Sequence, residues 1–195
     1  MTEPLLLSPG GIEITPKMLM SMSISEKASI CVALAPAMTR WLPFYEIHTP
    51  LRVAHFLAQA AHETDGWRTL VEYASGDAYD TRTDLGNTPA RDGDGRMYKG
   101  RGIFQLTGTA NYRKMGQRLG LDLLAHPILA ADPEIAVKIA CLYWNDRKMS
   151  PMADRDDLLA CSIAVNGKNR RTGLPNGWVD RQARLKDAKK VLGIL

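Results

Sequence analysis

The chain has 195 residues, 45% of them hydrophobic and 24% charged, with a formal net charge of +4. That length holds one ordinary domain or two small ones, and buries enough surface for a core without metals or staples. The composition excludes disordered, collagen-like, coiled-coil and mucin-like chains, and no apolar run reaches the roughly 18 residues of a membrane span.

Residues 1–14 read as a loose lead-in with one three-leucine run and no basic segment before it, so no secretory signal is expected. Thr15-Pro16 places an N-cap before a proline and opens a short Met-rich helix. Ser25 with Glu26 opens a second helix to about Arg40, which Pro36 should kink or divide. Cys31, Cys141 and Cys161 are an odd, scattered set. They read as reduced, buried thiols in a protein made in the cytoplasm. Thr49-Pro50 repeats the cap signal, and Val53, Phe56, Leu57 and Ala60 then share one face of an amphipathic helix. Gly66 interrupts that helix.

Residues 75–99 are rich in Gly, Asp, Thr and Asn and form a long loop, a kind of segment that often carries function. Helices follow from Thr109 to about Leu119, ended by Gly120, and from Asp132-Pro133 through EIAVKIACLYWNDRK. Asp156 begins another through DLLACSIAV, and the last runs from about Trp178 to Val191. Asn166 to Gly177 is a second polar loop. The expected fold is mainly α, a single domain over residues 1–195.

Three motifs fail on inspection. His62-Glu63 starts an H-E-x-x-H zinc pattern, but its fifth position is Gly66. His55 lies on the same helical face as His62 without a third ligand, so both read as packed or hydrogen-bonded histidines and no metal is expected. The run DGDGR at 92–96 begins like a calcium loop, but the twelfth position is Ile103. Gly100-Arg101-Gly102 begins like a dinucleotide loop, but Gln105 stands at the third glycine position. The positive balance suits an acidic partner such as nucleic acid, lipid or wall polymer. The basic residues are scattered with few aromatics among them, which argues against nucleic acid.

Glu63 and Glu72 are the productive pair. A carboxyl shielded by Trp67 or Tyr73 would hold its proton and serve as a general acid, while its wetter counterpart activates water. Nine residues of straight helix would turn the two apart, by ~900° over ~13.5 Å, so the helix must break between them. The segment YKGRGIFQLTGTANY supplies Arg101, Gln105, Thr107, Asn111 and Tyr112, a mix of planar polar groups, a hydroxyl and a ring that suits sugars.

The stretches His62-Glu63-Thr64, Tyr98 to Thr107, Asn111-Tyr112, Leu142 to Trp144, Ile163 to Gly167 and Asn176 to Arg181 occur together in that order. In this the sequence resembles glycoside hydrolase family 19, the chitinase-like family that includes phage endolysins. Its core lies at about 50–185, and its N-terminal segments, with ITP and HTPLR, are similar to the endolysin branch. Ile103 stands where the family has proline, and Asn166-Gly167-Lys168 replaces its N-G-G. The resemblance implies a lysozyme-like, two-lobed helical fold with a substrate cleft, an inverting mechanism and no cofactor.

Carried over, Glu63 is the general acid, Glu72 the general base, and Thr107 the holder of the attacking water. His62, Gln105, Asn111, Tyr112, Asn166 and Arg181 are substrate-binding or carboxylate-supporting, and Tyr98 and Arg101 are structural. The expected substrate is the β-1,4 linked glycan of peptidoglycan, cut by a monomer without a separate wall-binding module, nucleic-acid partner or stable membrane insertion. It would reach the wall through a holin-type lesion or a secretion helper. The alternatives are a chitinase, a noncatalytic wall-sugar-binding protein on the same fold, and a DNA-binding helical protein.

Overall fold

The computed structural model describes residues 11–23 and 28–195; the first ten residues of the lead-in and the Ser25-Glu26 helix start lie outside the described residues. Among the described residues the chain is helical, with isolated bridges and no strand. It divides into two compact units, one of residues up to 68 and from 141 onward, the other of residues 69–140.

The first unit is built around one buried helix. Helix α1 (Pro16–Ser21) starts as expected, with the Thr15 hydroxyl accepting the Met18 N–H at 3.2 Å. Helix α2 (Ala28–Phe44) outruns the expected end and continues through Pro36 as one element. Pro36 and Val32, whose carbonyl the proline leaves unbonded, are both exposed, so water can take over that carbonyl. Helix α3 (Pro50–Glu63) is capped by Thr49. Its pattern reads as amphipathic, yet every residue from Val53 to Ala61 is buried. Helices α7 (Ser150–Asp154), α8 (Leu158–Asn166) and α9 (Trp178–Val191) pack around it.

Both polar residues of that buried stretch have a side-chain partner, though His55 Nδ1 has none. His55 Nε2 meets Asp156 Oδ1 at 2.8 Å, and Gln59 Nε2 donates to the Ser162 hydroxyl at 3.1 Å. Arg52 forks onto Asp154 at 2.8 and 2.7 Å, tying α3 to α7. The buried Arg184 donates to the Met22 carbonyl, tying α9 to the end of α1. The cap of α8 is Asp157, not Asp156. Asp157 accepts the Ala160 N–H at 2.9 Å, whereas Asp156 sits at φ 56° and gives its carboxylate to His55 and Lys189. The three cysteines are free and buried. Burial raises their thiols, that of Cys161 to about 12, which leaves them unreactive.

The second unit folds around Tyr98, Ile103, Phe104, Tyr112 and Met115. The loop expected over 75–99 contains two 3-10 turns, Asp77–Tyr79 and Thr83–Leu85, and the four-residue helix α4 (Asp94–Met97). Its DGDGR run is a polar turn: Asp80 Oδ1 accepts the N–H groups of Gly93 and Gly95 at 3.1 and 2.9 Å. Helix α5 (Thr109–Leu119) ends at left-handed Gly120, as its sequence indicates. The side-chain oxygen of buried Asn87 caps its start, accepting from Thr109 N–H at 2.9 Å. Helix α6 (Pro133–Asp146) begins on Asp132, whose side chain accepts from Glu134 and Ile135 N–H.

Candidate functional site

The first unit contributes Glu63, the last residue of α3. The helix stops there because the next turn leaves helical geometry: Asp65, Gly66 and Trp67 all have positive φ, at 51°, 64° and 64°. Such values are costly for a tryptophan, and here they are held by buried Thr64. Its hydroxyl donates to the Ala60 carbonyl at 2.8 Å and accepts the Trp67 N–H at 3.1 Å. The break required between Glu63 and Glu72 is therefore present, at residues 64–67.

Glu63 Oε1 accepts from Arg181 Nη2. Arg181 is fully buried, while the Glu63 side chain is 18% exposed. The other two edges of the guanidinium are occupied as well: Nη1 donates to Gln59 Oε1 and Nε to the Asn176 carbonyl at 3.0 Å. Arg181 thus supports the carboxylate and presents no face to a sugar. His62, beside it, bonds Asp180 through Nδ1 at 2.6 Å, and its ring lies over Gly177. A Cβ on Gly177 would stand 2.1 Å from His62 Cε1, and Gly177 has φ +71°. Burial pushes the Asp180 carboxyl up, but the His62 hydrogen bond and the Arg184 charge outweigh it and hold that group below the usual carboxylate range. His55 and His62 each pair with a separate aspartate, and among the described residues no cluster of three His, Cys, Asp or Glu side chains could hold a metal.

The second unit contributes Glu72. Its segment runs antiparallel to the GRG run: Glu72 N–H donates to the Gly100 carbonyl at 2.9 Å, and Gly102 N–H to the Leu70 carbonyl at 2.8 Å. Glu72 Oε2 accepts from Gly100 N–H at 3.0 Å and Oε1 from the Tyr79 hydroxyl at 2.8 Å. That bond to Glu72 also raises the Tyr79 phenol above its ordinary value. A Cβ on Gly100 would stand 2.5 Å from Gln105 Oε1 and 3.1 Å from Glu72 Oε2. The first glycine of GRG is therefore there to make room for the two side chains.

Gln105, at φ 50°, donates from Nε2 to the Gly102 carbonyl at 3.0 Å. The Thr107 hydroxyl donates to the Gln105 carbonyl at 2.9 Å, which leaves its lone pairs free to accept. Asn111 is exposed and donates to the Thr107 carbonyl at 2.8 Å.

Two expectations are corrected. Tyr112 offers no ring for stacking, because it is fully buried. Its hydroxyl donates to the Lys99 carbonyl at 2.8 Å and accepts from Arg101 at 2.9 Å, and burial pushes its phenol up to about 12. Of the two rings expected to shield a carboxyl, Tyr73 is 73% exposed; the hydrogen-bond donors are Arg181 for Glu63, and Tyr79 and Gly100 for Glu72. Tyr98 and Arg101 are buried supports, as read from the sequence. Asn166 is exposed and accepts the Asn176 N–H at 3.2 Å.

The sequence reading missed Gln59, Asp180 and Tyr79. Gln59 precedes Glu63 by one helical turn, so a shared face was available as a signal. Asp180 adjoins Arg181 within a motif already singled out.

A family model described as chitinase class I, glycoside hydrolase family 19, matches residues 48–169. Endochitinase 1 of Theobroma cacao is 32% identical over 136 residues, 65% of this chain and 42% of that protein. Endochitinase 4 of Solanum tuberosum is 38% identical over 128 residues, 60% and 39% respectively. The chain thus spans about two fifths of the length of these curated relatives. In fold it matches chitinase C from Streptomyces griseus (TM-score 0.75, 24% identity, 94% of this chain and 78% of that one). It also matches a class IV chitinase from Zea mays (TM-score 0.69, 23% identity, 92% and 91%). With a family model covering well over half of its length, the chain belongs to glycoside hydrolase family 19.

Proposed function

We propose that this protein hydrolyses β-1,4 bonds between N-acetylated amino sugars by inverting acid–base catalysis, with bacterial peptidoglycan as its polymer. The observation that carries the reading is a pair of carboxylates, each held in place by its own donors. Glu63 is carried at the end of a buried helix on the buried Arg181. Glu72 accepts a hydrogen bond on each oxygen and keeps lone pairs for a water. Family membership supports the glycosidase chemistry. The N-terminal likeness to the endolysin branch, in ITP and HTPLR, supports the wall polymer.

In this mechanism Glu63 gives its proton to the leaving glycosidic oxygen. Glu72 takes a proton from a water that attacks the anomeric carbon on the opposite face. Thr107 accepts the water's second hydrogen and so aims its lone pair. One displacement inverts the anomeric centre, which asks for about 6.5–9.5 Å between the two carboxyl groups; about 5 Å would instead mean a covalent intermediate. No metal or cofactor enters the steps. The protein acts on the wall after release from the cytoplasm, as a monomer.

The deciding experiment is mass spectrometry of fragments released from purified peptidoglycan and from chitin oligomers. New reducing ends with inverted configuration are the expected result. An untouched glycan, or cleavage of stem peptides alone, overturns the proposal. Release from chitin alone keeps the chemistry and replaces the polymer. Glu72→Gln should lower the rate by about 10²–10⁴-fold; a mild effect would move the base elsewhere, to Asp77 or Asp80.

A further inference from the structure

The loop from Asn166 to Gly177 carries Lys168, Arg170 and Arg171 and no acidic residue. All three cations are exposed, and none has an ion-pair partner among the described residues. In the same unit Arg52 is paired with Asp154 and Arg181 with Glu63. Three adjacent cations left unneutralised raise the local potential and repel each other, a cost that solubility alone does not ask to be concentrated in one loop.

The loop is also built, not slack. Asn169 anchors it from both sides. Its N–H donates to the Leu174 carbonyl at 3.0 Å, and its carbonyl accepts the Gly173 N–H at 2.8 Å. Its side-chain oxygen accepts the N–H groups of Arg171 and Thr172, at 2.9 and 3.4 Å. Its amide donates to Asn176 Oδ1 at 3.1 Å. Asn176 in turn accepts Arg181 Nε on its carbonyl, and Arg181 holds Glu63. A continuous chain of hydrogen bonds therefore links the cationic loop to the candidate acid.

We propose that this loop is a subsite for carboxylates carried on the amino-sugar strand, and that it selects an anionic wall glycan over neutral chitin. The inference rests on the glycosidase reading and names its substrate class. Guanidinium groups suit this role, because their planar fork matches a carboxylate, and exposed cations still act over roughly a Debye length, about 8–10 Å. Chitin offers only hydroxyl and acetamido groups and has nothing for the loop to read. Peptidoglycan carries carboxylates on its peptide stems, at regular intervals along the strand.

The test compares the parent protein with a variant carrying Lys168→Gln, Arg170→Gln and Arg171→Gln. The substrates are peptidoglycan freed of phosphate-bearing polymers, and chitin oligomers. On peptidoglycan the KM should rise about tenfold or more with kcat within twofold, and the loss of rate with added salt should flatten. Hydrolysis of chitin oligomers should stay within twofold. Swapping the charges conservatively, with Lys168→Arg, Arg170→Lys and Arg171→Lys, should restore most of the peptidoglycan KM.

An unchanged KM and salt response overturns the subsite, as does an equal fall on both polymers. The same neutralisation in a Glu63→Gln background, read as cosedimentation with the purified sacculi, separates the two proposals because it needs no turnover. Binding lost with the cations, from a parent that hydrolyses neither polymer, would sink the glycosidase and keep the subsite. Hydrolysis that proceeds with binding indifferent to the cations would do the reverse.

Discussion

Glu63 and Glu72 are held by opposite means. Glu63 is placed by a regular helix and gripped by a buried cation whose other edges are tied to Gln59 and the Asn176 carbonyl. Glu72 is placed by an irregular segment and gripped by neutral donors, one a backbone N–H and one a phenol. A charged clamp fixes a carboxylate but leaves a buried charge behind if the carboxylate is removed. A neutral clamp leaves no buried charge behind when its carboxylate is removed. The difference makes their responses to substitution separable.

The largest expected effect tests the charged clamp. Glu63→Gln keeps an oxygen for Arg181, so the fold should hold while glycan hydrolysis falls by about 10²–10⁴-fold. Near-parental turnover would refute the acid assignment. Glu63→Ala should be equally inactive and also less stable, by about 1–3 kcal/mol, because it takes an acceptor from a buried guanidinium. In a chain of this size, that is a fall of several degrees in melting temperature. Equal stability of the two variants would mean that Arg181 does not depend on Glu63.

Next come the glycines that make room on each side. Gly100→Ala places a methyl against Gln105 Oε1 and Glu72 Oε2. We expect activity to fall on the order of 10²-fold, because displacement of a catalytic group by about 1 Å costs that much. Gly177→Ala meets the His62 ring and a left-handed backbone together. It should cost about 1–3 kcal/mol of stability, read as melting temperature, with His62 displaced from its seat. Tyr79→Phe removes one of the two donors to Glu72 and should lower activity only several-fold, with the other donor still in place. If Tyr79→Phe proved as severe as Gly100→Ala, the neutral clamp would depend on the phenol and not on the backbone.

What was legible in the sequence was whatever is decided within a few residues. The Thr15, Thr49 and Asp132 starts, the Gly120 stop and the span Trp178–Val191 all rest on local cap and turn chemistry. What was not legible was set by burial. His55 and Gln59 look like the polar side of an amphipathic helix until α7, α8 and α9 close over them. Asp156 looks like a cap, but a buried histidine and Lys189 compete for it, and Asp157 caps instead.

The placing of Tyr112 in a sugar-binding role overlooked a signal that was present. Thr109, Tyr112 and Gly116 recur at i, i+3 and i+7 and are all buried, whereas Asn111 points out. Arg181 obeys the same rule, on a stripe with Arg184, Leu185 and Ala188. A cation at an apolar stripe position needs a buried acceptor, and for Arg181 that acceptor is Glu63.

The smallest effect concerns acid. His55 is fully buried, with Nε2 on Asp156 and Nδ1 without a partner. Burial outweighs the pull of Asp156 and holds the imidazole below its ordinary value. The unfolded chain therefore takes up this proton at about pH 6.5 while the folded chain resists it, so the stability due to the neutral ring is full above about 6.5 and is lost as pH falls through the lower folded value. Burial also raises the Asp156 carboxyl, but Lys189 and His55 outweigh this and leave it below the usual range. Its contribution is present above about pH 3.9 and is lost only in stronger acid.

Both losses fall on the α3 side; among the described residues the second unit has no buried histidine. Melting temperature should decline in two stages on acidification, and hydrogen exchange near pH 5 should loosen α3 before residues 98–112. His55→Gln can still donate to Asp156 but carries no titrating ring, so it should abolish the first stage and keep the second. A first stage that survives His55→Gln would place the acid sensitivity elsewhere and remove this asymmetry between the two carboxylate supports.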